Sequence, residues 1–239
     1  MKQIIVFITI GLVFGCSNHN KFSVDGKIEG ADHTKVYFKE LILNRTKILD
    51  STKTDGEGNF EFTGETEYPK FYNISMEGRF VTLLIKPGEK VSFQAEKDNF
   101  YDYRIEGSPG SEQVKKLEER LRYTTARLDS LEKLYQQIQS AGSSNRRLEE
   151  INEKYERILK RQRDSSIAFI LDHLHSLASI MALYQKINEK TYVLYKNTDL
   201  QYIKLVADSL KDRYPHSEYV KSLLANKENL MKKYRQIEV

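Results

Sequence analysis

Cysteine and tryptophan are almost absent from this chain of 239 residues, which has one cysteine and no tryptophan. A single thiol, Cys16, cannot form a disulfide within the chain or a zinc site built from several cysteines. A chain with one cysteine also has no Cys-x-x-Cys pair, so dithiol redox chemistry is excluded. Proline and glycine are also scarce, at 4 and 12 residues, whereas aromatic residues make up 11%. This composition is typical of a folded protein and not of a disordered one.

The sequence also lacks a long hydrophobic run. Its longest apolar stretch, residues 4–14, is too short to span a bilayer, since a membrane-spanning helix needs about 20 apolar residues. Lys2 precedes this stretch, and Gly15 and Cys16 follow it. A basic start, a short apolar segment and a small residue before cysteine are typical of a bacterial lipoprotein signal. An uncleaved secretory leader with an incidental cysteine is the alternative.

Under the lipoprotein interpretation, residues 1–15 are the signal peptide and Cys16 is the acylated first residue of the mature protein. Each buried methylene of an acyl chain contributes about 0.8 kcal/mol, so several chains hold a protein on a membrane. Residues 16–21 then form a tether; residues 17–21 reach at most about 17 Å. Ser17 follows the anchor and no acidic cluster comes after it, which favours an outer-membrane protein that faces the periplasm.

Charge is distributed unevenly along the chain. The net charge is only +4, which gives no indication of nucleic-acid binding. Residues 22–110 contain 12 Lys and Arg against 16 Asp and Glu, whereas residues 111–239 contain 24 against 18. This difference predicts two domains, divided near residue 110.

Residues 22–110 show short alternating apolar runs separated by turn signals such as Asp55-Gly56 and Pro87-Gly88. Alternation with a period of two is typical of half-buried strands, and Asp-Gly and Pro-Gly pairs favour tight turns. About eight strands fit into this region. The sequence therefore predicts an antiparallel β-sandwich, with a partly closed barrel as the alternative.

Residues 111–239 have a helical pattern. From Val114 to Ile138 the apolar residues alternate three and four positions apart, the segment 140–145 breaks the pattern, and Leu148 resumes it. This predicts a long antiparallel helical hairpin over about 112–163. Shorter helices are predicted to stack over about 164–236, one of them from a capping box at residues 198–201 to about Arg213. The fold class is therefore α+β.

The strand region contains a set of segments that together carry a family resemblance: 22–30 (FSVDGKIEG), 36–38 (VYF), 50–52 (DST), 55–56 (DG), 58–64 (GNFEFTG), 69, 71–72 (FY), 85–89 (IKPGE) and 105–108 (IEGS). Over about residues 22–112 the chain resembles a domain of unknown function. In other proteins that domain is the N-terminal β domain of lipid-anchored, thioredoxin-like thiol-disulfide oxidoreductases of Bacteroidota-type envelopes. The helical segments 167–185 and 214–217 (YPHS) resemble the region that joins the β domain to the thioredoxin domain in those proteins. The resemblance implies a β fold, an envelope location and an association with redox or stress-related partners. It implies no activity, since the catalytic Cys-x-x-Cys of that family is missing from these 239 residues.

No catalytic motif is present, whether a nucleophile elbow, a phosphate loop, a dinucleotide fingerprint or a zinc-protease helix. His173 and His175 lie two apart on a predicted helix and point about 200° away from each other. The Asp55 turn has oxygen ligands at alternate positions but lacks the distal glutamate of a calcium loop. We therefore assign no catalytic residue, no cofactor and no metal.

An aromatic cluster in the strand region is the remaining candidate for a ligand-binding face. Aromatic side chains on one face of a sheet can line a small-molecule site, although ordinary sheet packing is the alternative interpretation. The residues of this proposed face are Tyr68, Phe71, Tyr72, Tyr101 and Tyr103, with Phe100 beside them.

These observations lead to three functional hypotheses. The first is a non-enzymatic, lipid-anchored envelope protein that binds or positions a partner protein in the periplasm, with no nucleic acid involved. The second is an enzyme or a small-ligand-binding lipoprotein that uses the β face, with Asp55 and Tyr72 as its test positions. The third is a structural spacer of the envelope.

Overall fold

The computed structural model describes residues 19–43, 45–141 and 145–237, so Cys16 and the predicted signal peptide lie outside the described residues. The described strands are β1 (Lys21–Glu29), β2 (Lys35–Ile42), β3 (Arg45–Lys53), β4 (Asn59–Glu65), β5 (Lys70–Met76), β6 (Arg79–Ile85), β7 (Lys90–Glu96) and β8 (Arg104–Glu106). The described helices are α1 (Pro109–Ser140), α2 (Asn145–Asp172), α3 (Ala178–Tyr184), α4 (Leu200–Leu210) and α5 (Glu218–Ile237), with a 3-10 turn at Asn197–Asp199. None of the helices in these ranges is long and apolar enough to cross a bilayer.

The described strands form two four-stranded sheets, with the orders β4-β1-β7-β8 and β3-β2-β5-β6. Neighbouring strands are antiparallel except for β1 and β7, which run parallel with Ser23 opposite Lys90. The predicted α+β fold, with a β-sandwich first and helices after it, is confirmed.

The core of the sandwich lies between the two sheets, as the alternation of the strands predicts. Along β1, every second side chain from Phe22 is buried. The ring of Phe38 stacks on Tyr72 with centroids 5.0 Å apart, and on Phe62 at 5.2 Å. Gly26 lies in the middle of β1, where a Cβ atom would lie 2.0 Å from the ring of Phe60. The aromatic core therefore requires a glycine there.

Strands β5 and β6 differ from the others because both of their faces are buried over most of their length. Tyr72, Ile74 and Met76 face the sandwich core, whereas Phe71 belongs to a second apolar core on the outer face of the sheet. That second core joins β5 and Leu84 of β6 to the helices. It also contains Val114, Leu117, Ile170, Leu177, Ala178, Ile180, Ala182, Leu183, Val206, Ala207, Leu210, Val220 and Leu223.

Helix α1 lies along the edge of β6. Ser111 is fully buried, and its Oγ accepts a hydrogen bond of 3.0 Å from the N–H of Leu84. The Oγ of Ser108, the N-cap of α1, lies 3.1 Å from the carbonyl oxygen of Leu84. At Gly110 a Cβ atom would approach the same carbonyl to 2.6 Å. The helix therefore satisfies the polar groups at this sheet edge, which a neighbouring strand would otherwise pair with.

The direction of α1 follows from its contacts at the two ends of the sandwich. At one end, the N–H of Gly88 donates to the carbonyl of Lys21 over 3.0 Å, and the Oγ of Ser108 lies 2.7 Å from Glu89. The start of β1 and the start of α1 are therefore close together. At the opposite end, Arg122 donates to the carbonyl of Tyr101 over 3.1 Å. Beyond Arg122, α1 continues for about 27 Å at 1.5 Å per residue.

Helices α1 and α2 form the predicted antiparallel hairpin. Leu128 and Ile158 are buried in its seam, and the hydroxyl of Thr124 donates to Gln162 over 2.7 Å. Helix α2 continues to Asp172, so residues 164–172, which the sequence pattern groups with the stacked helices, are the last turns of α2.

The remaining helices pack against the base of the hairpin. The guanidinium of Arg163 in α2 binds the buried carboxylate of Asp199 with an Nε–Oδ2 distance of 3.0 Å. Asp199 also accepts the N–H of Lys196 and so caps the 3-10 turn before α4. Helix α4 ends at Leu210, three residues before the predicted end, because the chain enters a turn there.

Replacing Ser111 with alanine tests the contact between α1 and β6. This change leaves the buried N–H of Leu84 without its acceptor, so we expect the free energy of unfolding to fall by about 1–3 kcal/mol. Ser130→Ala is the matched control on the same helix, since Ser130 is exposed and bonds only to Ala126 in its own helix. Urea denaturation followed by circular dichroism measures both. Equal stabilities for the two variants would show that the Ser111 hydrogen bond does not hold the edge.

Candidate functional site

A cleft of about 580 Å³ opens between the outer face of the second sheet and the helices. We call it the interlayer cleft. Its volume lies within the range of about 300–1,000 Å³ that is usual for small-molecule sites. Its walls are mainly apolar and aromatic, and they come from the end of β2, from β5 and from helices α1, α3 and α5. They include Leu41, Phe71, Leu121, Met181, Tyr184, Tyr192, Tyr219 and Leu223, and the polar residues Glu118 and Gln185.

One wall of the interlayer cleft is an aromatic pair. Phe71 points outward from β5 because its neighbour Tyr72 points into the sandwich core. Its ring meets Tyr219 of α5 edge-on, with centroids 5.0 Å apart and planes at 76°. The hydroxyl of Tyr219 donates to the carbonyl of Leu41 at the end of β2, and burial raises the pKa of this tyrosine. The pair thus joins α5 to the sheet at the end of β2.

Glu118 supplies a partly buried carboxyl group. It lies two helical turns after Ser111 and faces the same edge strand, where the hydroxyl and the N–H of Thr82 act as hydrogen-bond donors to it. Its side chain is only 18% exposed. Burial raises the pKa of Glu118 to about 6, although Thr82 and the Arg122 guanidinium, 3.9 Å away, oppose the shift. At neutral pH the group is therefore mostly ionised in surroundings that disfavour the charge.

Gln185, which follows α3, has a buried amide with one unpaired atom. Its Nε2 donates to the carbonyl of Leu117 over 3.1 Å. This bond fixes the orientation of the amide, since a flipped amide would place two carbonyl oxygens against each other. The oxygen of the same amide, Oε1, accepts no hydrogen bond from the part of the chain that the structure describes. Gln185 is 6% exposed, so this acceptor is unsatisfied inside the protein.

The structure does not bring the five aromatic residues predicted as a ligand face together. Phe71 lines the interlayer cleft, whereas Tyr72 and Tyr103 lie in the sandwich core. Tyr101 is exposed at the far end of the sandwich, and Tyr68 is half-buried. Phe71 and Tyr72 are separated because adjacent residues of a strand face opposite sides of the sheet.

The polar residues of the interlayer cleft have no distinctive sequence signal. Glu118 stands between the seam residues Leu117 and Leu121, where any charged residue of an amphipathic helix could stand. Gln185 ends an apolar group, and nothing in the local sequence shows that one half of its amide stays unpaired. Tyr219 lies just after the start of α5. Only the tertiary structure brings these three residues to one cavity.

The Asp55 turn has a local structural role. One carboxylate oxygen accepts the N–H groups of Glu57 and Asn59, both at 2.8 Å, and the other accepts the side-chain amide of Asn59 at 2.9 Å. These bonds lower the pKa of Asp55 and shape the connection between β3 and β4. Among the described residues there is no group of three or more His, Cys, Asp or Glu side chains that could hold a metal ion.

A second surface lies on the helical hairpin. Leu131 and Leu134 of α1 lie beside basic residues in a groove of about 370 Å³ between α1 and α2, which we call the hairpin groove. Leu134 is 41% exposed. Arg157 pairs with Glu153 at 3.4 Å, but both side chains are more than half exposed, so the pair is weak. The basic residues of the groove are Arg127, Lys154, Arg157 and Arg161.

Comparison with known proteins concerns the strand region. Residues 22–114 match a domain of unknown function (DUF4369). The DUF4369 match covers β1 to β8 and the first turns of α1. It includes Phe71 of the interlayer cleft, but Glu118, Gln185 and the whole hairpin groove lie outside it. No curated protein was found to match the chain.

Replacing Glu118 with glutamine tests the electrostatics of the interlayer cleft. The raised pKa means that burial favours the protonated form, so wild-type stability falls as pH rises from about 4.5 through about 6. At pH 7.5 we expect Glu118→Gln to be more stable than the wild type by about 1–2 kcal/mol, and at pH 4 we expect no difference.

Urea denaturation across this pH range measures the effect. Glu119→Gln removes a carboxyl group one position along α1, where Lys115 pairs with it at 2.6 Å on the surface. This control separates the burial of Glu118 from a general change in helix charge. A stability difference for Glu118→Gln that does not change between pH 4 and pH 7.5 would contradict the assignment.

Proposed function

We propose that this protein is a non-enzymatic, lipid-anchored protein of the cell envelope that binds and positions a partner protein in the periplasm. The observation that carries the proposal is that the start of β1 and the helical hairpin lie at opposite ends of the sandwich. The start of β1, five residues after Cys16, lies at one end of the sandwich, and the helical hairpin extends beyond the other end. Such an arrangement holds a binding surface at a fixed distance from an anchor.

The anchor in this proposal is Cys16, whose acyl chains insert into the outer membrane on the side that faces the periplasm. Because β1 begins at Lys21, the tether of residues 16–21 is short and the sandwich lies close to the lipid. Helix α1 starts beside Lys21 and leads away from it. The distal hairpin is then the part of the described chain farthest from the membrane surface.

The hairpin groove is the surface that we propose for the partner. Its apolar residues Leu131 and Leu134 are flanked by basic side chains from both helices. Interfaces commonly combine a buried apolar centre with a charged rim that steers association. The complementary partner surface carries acidic groups around an apolar side chain. The likeness of the strand region to the β domain of thioredoxin-like lipoproteins supports a thiol-redox protein as this partner.

Site-specific photo-crosslinking in intact cells tests the proposal. We expect a photoreactive residue at Leu134 to give one discrete adduct with a periplasmic protein. A photoreactive residue at the exposed Gln136, about 200° away around the same helix, is expected to give none. Combining Arg157→Glu with Arg161→Glu should weaken the Leu134 adduct at least about fivefold, because the rim charge reverses.

Two controls separate the alternatives. Adducts of equal strength from both positions, or adducts only with the protein itself, would contradict partner binding and favour a structural spacer. The variant Cys16→Ala tests the anchor, since the wild type should incorporate labelled palmitate and this variant should incorporate none. Equal labelling of the two proteins would contradict lipid attachment at Cys16.

A further inference from the structure

We propose that the interlayer cleft binds a small apolar or aromatic molecule that carries an N–H or O–H donor. This site is separate from the hairpin groove and does not depend on the partner protein. The inference depends on the combination of an apolar cavity with a buried acceptor that has no partner within the described chain.

The shape and lining of the cavity fit a small molecule. The cavity has a volume of about 580 Å³ and lies between the sheet and the helical layer. Apolar side chains from both layers form its walls. Leu41 and Phe71 come from the sheet, and Leu121, Met181 and Leu223 come from the helices. An apolar ligand in this space removes its own surface and that of the walls from water.

The amide of Gln185 defines the polar requirement. Its Nε2 is held by the carbonyl of Leu117 at 3.1 Å, so the amide cannot rotate to satisfy Oε1 without losing that bond. Oε1 is buried and accepts nothing from the described residues. Oε1 has almost no accessible surface, so a ligand N–H or O–H reaches it when binding moves the side chains that cover it. The ligand then supplies the missing donor, and the gain is large because a buried unsatisfied acceptor is costly.

The other polar groups of the cleft favour the same class of ligand. Glu118 lines the cleft with a carboxyl group, which accepts hydrogen bonds and repels an anion. The hydroxyl of Tyr219 already donates a hydrogen bond to the carbonyl of Leu41. The interlayer cleft therefore selects neutral or cationic donors, such as aromatic amines and alcohols, over carboxylates and phosphates.

Methionine methyl resonances provide a direct readout of binding. The full-length acylated protein in lipid nanodiscs, labelled with ¹³C at the methionine methyl groups, is titrated with 1-aminonaphthalene or with 1-methylnaphthalene, which has a similar shape but no donor. Met181 lines the cleft, Met76 lies in the sandwich core and Met231 is on the surface of α5. We expect a saturable shift of Met181 with both probes, unmoved Met76 and Met231, and about tenfold tighter binding of the amine.

Two variants test the roles of the acceptor and the cavity. Gln185→Leu should reduce the affinity for 1-aminonaphthalene to that of 1-methylnaphthalene, whereas the same change at the exposed Gln136 should leave both affinities unchanged. The Met76 resonance reports whether each variant is folded. If Gln185→Leu does not fold, Leu121→Trp provides the second test, because an indole in the cleft should abolish binding of both probes.

The outcomes that overturn the proposal are specific. They are no saturable shift of Met181 up to the solubility limit of the probes, equal affinity for the two probes in the wild type, or undiminished binding in Leu121→Trp. Shifts of equal size at Met76, Met181 and Met231 would show probe partitioning into protein and lipid without a site, and they would also overturn it.

Discussion

The contact between α1 and the free edge of β6 is the interaction on which the rest of this structure depends. Ser108 and Ser111 satisfy the backbone of Leu84, and two turns later Glu118 reaches Thr82. A helix thus takes the place that an additional strand would occupy at this edge. Because α1 is continuous from Pro109 to Ser140, the same contact that closes the sheet also sets the direction of the hairpin.

The double burial of β5 explains why the two halves of the protein form one structure. One face of this strand completes the sandwich core, and Phe71 on the other face starts the core that holds the helices. The two layers are not packed completely, and the interlayer cleft remains between them. Glu118 and Gln185 both reduce stability at this cleft, one through a disfavoured charge and the other through an unpaired acceptor. Polar groups placed in this way are typical of binding sites, where local stability is given up for function.

Much of the fold could be predicted from the sequence because its periodicities are strong. Alternation in the strands predicts the β-sandwich, and the heptad from Val114 to Ile138 predicts the hairpin. The parallel pairing of β1 with β7 could not be predicted, since strand alternation is the same in parallel and antiparallel sheets. The turn at Asp55 was identified by its Asp-Gly pair, and its hydrogen bonds explain that signal.

The sites were harder to predict than the fold. The predicted aromatic face consists of residues that are close in sequence, but adjacent strand residues such as Phe71 and Tyr72 face opposite sides of the sheet. The interlayer cleft joins residues from β5, α1 and the segment after α3, which are more than a hundred positions apart from end to end. No local pattern contains that information, because the cleft exists only where the helical layer meets the sheet.

The claim that α1 rigidly links the end of the sandwich at which β1 starts to a distant hairpin can be measured directly. Spin labels at Glu65→Cys and Gln136→Cys, in the protein reconstituted in nanodiscs, report the distance by pulsed electron paramagnetic resonance. With the acylation that we propose, Cys16 has no thiol to be labelled. Glu65 pairs with Lys21 at the start of β1, and Gln136 lies on the distal hairpin. We predict one narrow distribution at about 40 Å or more, from the rise of α1. A broad distribution, or a main population below about 30 Å, would contradict the account.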